Sequence, residues 1–139
     1  MNGNLLIKKT DSQSLDMFVA TLPDVIGCQK WEERHSSNYV EERYFRCFVL
    51  GLEITVAIAD DAEFKNYDFW LCLLPEPGCG HHTNLMDGIA DCVARKLAQH
   101  GHEVVRSYDI GRSGSGGMVY RLNPAEGAKP RERVVIEEF

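Results

Sequence analysis

Two apolar stretches decide the fold: residues 52–59 read LEITVAIA and residues 67–74 read YDFWLCLL. In the first stretch apolar side chains alternate along the chain, which is the period of a strand with one buried face. The second stretch is apolar at nearly every position and predicts a central strand covered on both faces. Gly51, just before the first stretch, indicates either a hairpin turn or a bulge in one longer strand.

Two amphipathic segments predict helices. The first begins near residue 12, with Asp11 or Ser12 as its cap, and Pro23 is expected to stop it because proline lacks the N–H that continues a helix. The second is predicted over residues 84–100, where an apolar stripe recurs every four residues at Leu85, Ile89, Val93 and Leu97.

The predicted order of elements is β-α-β-β-β-β-α-β-β-β, in which residues 4–9 form a short edge strand. Short turns between successive strands favour a mostly antiparallel sheet of about six to eight strands. The two helices are expected to cover one face of that curved sheet. The fold class is therefore α+β, and a chain of 139 residues has the size of a single domain, 1–139.

The composition limits the classes of function. A content of 44% hydrophobic and 26% charged residues is that of a globular protein and excludes a disordered or fibrous chain. The net charge of −6 argues against nucleic acid as a partner, because a phosphate backbone requires clustered lysine and arginine. No signal peptide or membrane-spanning segment is recognised, so we expect a cytoplasmic protein without membrane association. No cofactor fingerprint is present, and no cofactor is expected.

Five cysteines occur without a CxxC spacing. Their odd number and apolar surroundings predict free thiols, most of them buried, in a reducing compartment. Cys92, beside the apolar stripe of the second predicted helix, is expected to be one of the buried thiols.

One cluster carries residue types that enzymes use: Cys79, His81 and His82 precede the second predicted helix. Thiolate and imidazole bind zinc, and a thiol near a helix N-terminus can act as a nucleophile beside a histidine base. The spacing is poor for one metal ion, and the group that would orient the base is missing. A polar loop that caps the helix explains the same residues, so a catalytic or metal site here is only the alternative.

Residues 111–117 form a glycine-rich segment between two predicted strands. Phosphate-binding loops connect a strand to a helix instead, so we expect a hairpin tip. A tip that carries Arg112 can still serve as a recognition loop on a rigid scaffold.

Acidic and aromatic residues concentrate in the strand-rich half of the chain. The pairs at 32–33 and 41–42 flank one predicted turn and are expected to lie side by side, with Trp31 and Tyr39 facing outward beside them. Exposed aromatic rings among charges are typical of protein interfaces. The candidate partner-binding residues are Trp31, Glu32, Glu33, Tyr39, Glu41, Glu42, Asp60, Asp61 and Arg112.

The sequence therefore favours a non-enzymatic protein that binds a basic protein partner. An immunity or inhibitor protein that neutralises a toxin, nuclease or secreted effector fits the size and charge, because carboxylates can stand where a nucleic acid presents phosphates. A small acidic chaperone fits equally well. The alternative is a thiol-dependent or zinc-assisted hydrolase that uses Cys79, His81 and His82. The oligomeric state is left open.

Overall fold

The computed structural model describes residues 3–80, 83–109, 114–123 and 133–139. Within these residues eight strands and two α-helices follow one another in the predicted order, and the α+β fold class is confirmed. The strands are β1 (Asn4–Ile7), β2 (Glu32–His35), β3 (Arg43–Val49), β4 (Leu52–Ile58), β5 (Phe69–Pro75), β6 (Val104–Ser107), β7 (Gly117–Leu122) and β8 (Val134–Glu138). The helices are α1 (Leu15–Ile26) and α2 (Thr83–Gln99).

The first strand lies near the middle of the sheet. Across the described ranges the strands form one open, antiparallel sheet in the order β2-β3-β4-β5-β1-β6-β7-β8. The prediction of an edge strand at residues 4–9 is therefore wrong, since β1 pairs with β5 on one side and with β6 on the other. Its three apolar residues, Leu5, Leu6 and Ile7, are each at most 1% exposed. An unbroken apolar run needs cover on both faces, which a central position provides.

Both helices pack on one face of the sheet, as predicted. They contact each other, and Phe18 of α1 stacks on Phe69 of β5 with ring centroids 4.5 Å apart. Alternate residues of the central strands complete this core; among them are Leu5, Ile7, Ile54, Val56, Leu71 and Val104. The intervening residues of the same strands point to the opposite side, as the pleat of a strand requires.

Helix α1 begins and ends later than the sequence pattern predicts. Ser14, rather than Asp11 or Ser12, is the N-cap, and its hydroxyl accepts a hydrogen bond from the Met17 N–H. The prediction that Pro23 stops the helix is wrong. Because Pro23 lies in the last turn, its carbonyl still accepts the N–H of Gly27, the residue that ends the helix with a φ of 79°.

The cysteines divide between the core and the surface. Cys28, Cys47 and Cys72 are buried, and burial raises the pKa of both the Cys28 and the Cys72 thiol to about 11. Cys92 of α2 is exposed, so its predicted burial is wrong. It lies beside the apolar stripe but on the flank of α2 that faces away from the sheet, whereas Ala90, Ala94 and Ala98 line the buried flank.

Gly51 belongs to a hairpin turn and not to a bulge. Val49 of β3 pairs with Leu52 of β4, which leaves Leu50 and Gly51 as a two-residue connection. Both have positive φ, 50° and 74°, as in a type I′ turn. The left-handed conformation suits glycine and is unfavourable for the leucine.

A polar cluster is buried between α2 and the sheet. The guanidinium of Arg106, whose side chain is 4% exposed, lies 3.3 Å from a carboxylate oxygen of Asp87. It also donates to the hydroxyl of Tyr120, and that hydroxyl donates to Asp91 over 2.7 Å. These bonds satisfy the terminal nitrogens of a guanidinium that would otherwise be costly to bury.

Candidate functional site

A cleft of about 530 Å³ opens on the sheet face opposite the helices. This face, here called the open face, carries the side chains that alternate with the core residues, including Leu6 of β1, Trp70 and Cys72 of β5, and Thr55 of β4. The cleft is lined by Leu6, Ser37, Asn38, Tyr39, Val40, Ile58, Asp60, Asp61 and Trp70. The lining therefore combines apolar side chains with polar groups, and the polar groups come from the loop before β3 and the loop after β4.

The loop between β2 and β3, residues 36–42, forms one side of the cleft. Ser36 and Glu42 are joined by a backbone hydrogen bond of 2.9 Å, and the Ser36 hydroxyl accepts the Asn38 N–H. Short polar side chains such as those of residues 36–38 favour such a turn because they bond to nearby backbone groups. Tyr39 lies at the end of this turn, where it reaches over the open face.

Two aromatic rings stand in fixed positions at the cleft. The indole Nε1 of Trp70 donates to the Asn4 side chain over 2.8 Å. Tyr39 stacks on Tyr44 with ring centroids 4.3 Å apart, and its ring is tilted by 37° against that of Trp70 at 6.2 Å. Because neighbours hold both rings, a ligand does not have to order them on binding.

The other side of the cleft is acidic. Asp60 and Asp61 follow the end of β4, and one carboxylate oxygen of Asp61 accepts the N–H groups of Glu63 and Phe64 at 2.9 and 3.1 Å. This capping holds Asp61 in place. Among the described residues that line the cleft there is no lysine or arginine to pair with the two carboxylates.

The phenol of Tyr39 stays neutral. Burial raises the pKa of Tyr39, and the neighbouring Tyr44, Cys72 and Glu53 raise it further. A neutral hydroxyl can both donate and accept a hydrogen bond, so Tyr39 adds an uncharged polar group to the lining of the cleft.

The acidic residues of β2 are paired within the protein. Glu32 of β2 accepts from Arg34 at 2.8 Å and lies 3.5 Å from Arg46, its cross-strand partner. The hydrogen bond from Arg34 lowers the pKa of Glu32. Glu33, which points to the other face, lies 3.1 Å from Arg43. Cross-strand contacts of opposite charge therefore replace the repulsion between like charges that the sequence pattern implied.

The second acidic pair and the tryptophan also depart from their expected places. Glu41 and Glu42 lie in a short 3-10 turn before β3, are exposed, and both have a φ of 56°. They are therefore not on a strand beside Glu32 and Glu33, and that prediction is wrong. Trp31 packs against the core, and its indole donates to the Cys28 carbonyl over 2.8 Å. The prediction that Trp31 faces outward is therefore wrong as well, because its indole is hydrogen-bonded on the core side of the sheet.

Three of the predicted site residues, His81, His82 and Arg112, lie outside the described residues. Cys79 is described and is exposed. In the described ranges no three side chains of histidine, cysteine, aspartate or glutamate are grouped closely enough to hold a metal ion.

Sequence reasoning placed Tyr39, Asp60 and Asp61 among the candidates, and the structure brings these three to one cleft. It missed Trp70, which it assigned to a strand covered on both faces. The sequence did contain a usable signal in the alternation of side chains along the strand. Trp70 lies between the core residues Phe69 and Leu71 and therefore points to the open face.

Comparisons with known protein families, with curated proteins and with solved structures find no match to this chain. Within the described ranges no helix has both the length and the apolar character that crossing a bilayer requires.

Proposed function

We propose that this chain is a non-enzymatic, cytoplasmic protein that binds a basic protein partner through the cleft on the open face. One observation carries the proposal: two carboxylates and two aromatic rings held by their neighbours line the same cleft, and no residue of its described lining is cationic. Aromatic side chains in partly desolvated pockets anchor protein interfaces, and complementary charge selects the partner. The net charge of −6 attracts a basic partner over a longer distance.

The class of partner that suits this chemistry is a basic toxin, nuclease or secreted effector, which the chain would neutralise as an immunity or inhibitor protein. Asp60 and Asp61 would contact basic groups that otherwise meet phosphates. A small acidic chaperone would use the same chemistry on an unfolded basic segment. The alternative of a thiol-dependent or zinc-assisted hydrolase that uses Cys79, His81 and His82 stays a prediction.

The experiment compares two double variants that change the net charge equally. Wild type, Asp60→Asn with Asp61→Asn, and Glu32→Gln with Glu33→Gln are each used to capture proteins from the native host, and captured proteins are identified by mass spectrometry. We expect one basic protein to be lost with the aspartate variant and retained with the glutamate variant, whose carboxylates already face arginines.

The purified partner then gives the affinity by calorimetry. We expect the dissociation constant to rise roughly tenfold between about 0.01 M and about 0.15 M salt, and roughly tenfold in the aspartate variant. A partner that binds only when unfolded indicates the chaperone. Equal capture by wild type and the aspartate variant, or a partner of acidic character, contradicts the proposal.

A further inference from the structure

The cleft has the size and shape to receive part of a polypeptide. Its volume of about 530 Å³ falls in the range of roughly 300–1,000 Å³ that is usual for small-ligand sites. That is space for one long side chain together with the peptide units on either side of it. The apolar side chains of the lining, Val40 and Ile58 among them, suit the methylene groups of such a side chain.

The walls select a cation. The rings of Tyr39 and Trp70 line the cleft with their planes inclined by 37°, and a cation within about 6 Å of the face of such a ring is attracted to it. The carboxylates of Asp60 and Asp61 add charge of the same sign and repel phosphates and acidic side chains. Asp61 keeps one oxygen engaged by the backbone, which leaves its second oxygen for the ligand.

We propose that the cleft is a binding site for an arginine side chain of the partner. A guanidinium is planar, stacks on an aromatic ring and is more weakly hydrated than an ammonium group, so it loses less on entering a half-apolar cleft. Its forked donors match a carboxylate, and the carboxylate residues Asp60 and Asp61 both line the cleft. This inference rests on the proposed function, because it identifies the group of the partner that the cleft holds.

The test uses a small probe, N-acetyl-arginine amide, with the full-length protein and nuclear magnetic resonance. The chain has two indole N–H signals, from Trp31 and Trp70, and a Trp70→Phe variant assigns them. We expect the probe to shift the Trp70 signal in a saturable way, with a dissociation constant of about 1 mM, and to leave the Trp31 signal in place.

Matched probes and variants define the recognition. N-acetyl-citrulline amide has nearly the same shape without the charge, and we expect it to bind at least about tenfold more weakly. Asp60→Asn with Asp61→Asn should weaken arginine binding roughly tenfold, since asparagine keeps the turn at residue 61 and removes the charge. Glu32→Gln with Glu33→Gln should leave it unchanged. N-acetyl-lysine amide should bind more weakly than the arginine probe.

Each contrary outcome overturns the proposal. An unmoved Trp70 signal, or equal binding of the citrulline probe, removes the cation site, and lysine binding as tight as arginine binding removes the assignment to arginine. These failures are separate from a failure of the proposed function. A basic partner can still be captured when the probe does not bind, and the probe can bind when no basic partner exists.

Discussion

Tyr120 shows how one hydroxyl can hold a buried cluster together. Its ring is fully buried, and its hydroxyl contacts both Arg106 and the Asp91 carboxylate. A low dielectric makes such a bond strong when it is formed and expensive when one partner is missing. The Nε of Arg106 already lacks a hydrogen-bond partner in the described structure, so the cluster has little capacity to absorb a further loss.

We predict that Tyr120→Phe lowers the free energy of unfolding by about 1–3 kcal/mol, because it leaves the buried guanidinium of Arg106 without one of its hydrogen-bond partners. The matched control is Tyr108→Phe, which removes an exposed hydroxyl bonded to Glu138 and should cost less than about 0.5 kcal/mol. Urea denaturation measures both values. Equal losses for the two variants would show that the buried cluster does not depend on Tyr120.

At the scale of elements, the two-residue turn between β3 and β4 contains a leucine, Leu50, where the backbone conformation favours glycine or asparagine. Leu50 is 87% exposed and has a φ of 50°. Its side chain therefore gains little from burial while its backbone occupies a conformation that favours glycine or asparagine. The hairpin forms nevertheless, because the apolar residues of β3 and β4 that face the core fix how the two strands pair.

We predict that Leu50→Asn stabilises the protein by about 0.5–1 kcal/mol, since asparagine is the preferred first residue of a type I′ turn. Leu50→Val at the same site should destabilise it by a similar amount, because a branched side chain fits the left-handed region poorly. The urea midpoint gives both changes when the slope of the transition is unchanged. Stabilisation by valine as well would point to a loss of exposed apolar surface and not to the turn.

Element order was predictable from sequence because it depends on local pattern. Alternation marks β4, and the four-residue stripe marks α2. The place of β1 was not predictable in this way, because its partners β5 and β6 are distant in the chain and only burial on both faces identifies it. The end of α1 was also predicted wrongly from Pro23. A proline costs little stability in the last turn of a helix, and here Gly27 ends the helix after it.

The candidate site was predictable in part. Asp60 and Asp61 stood out as charges at the end of a strand, and Tyr39 as an aromatic residue near a turn. Their meeting with Trp70 depends on how the loop of residues 36–42 folds over the sheet, which composition does not encode. Their role in binding stays a prediction.

At the scale of the whole molecule, Glu103 connects distant parts of the chain. Its carboxylate lies 3.2 Å from the ammonium group of Lys8 and accepts from Tyr67 at 2.5 Å and from Arg121 at 2.6 Å. Burial raises the pKa of Glu103, but the three hydrogen bonds outweigh that effect and lower it to about 2. A folded-state pKa below the unfolded value means that this carboxylate stabilises the fold at neutral pH.

We predict that this stabilisation is complete above pH 4.5, the ordinary pKa of the group, and is lost as the pH falls towards 2. Glu103→Gln should therefore cost about 2–3 kcal/mol at pH 7, and the difference from wild type should close over that acidic range. The control is Glu137→Gln, which removes a more exposed partner of Arg121 and should have a small effect at every pH. Unfolding curves between pH 2 and pH 7 measure this, and a constant difference for Glu103→Gln would contradict it.

The central position of β1 also bears on how the protein is made. On the ribosome, residues 4–7 emerge before both of the segments that flank them in the sheet, residues 69–75 and 104–107. Until those segments emerge, the apolar side chains of residues 5–7 have no strand to pair with. Exposed apolar segments of this kind aggregate or recruit chaperones during translation. The centre of the sheet is therefore complete only after residues 104–107 have joined residues 4–7.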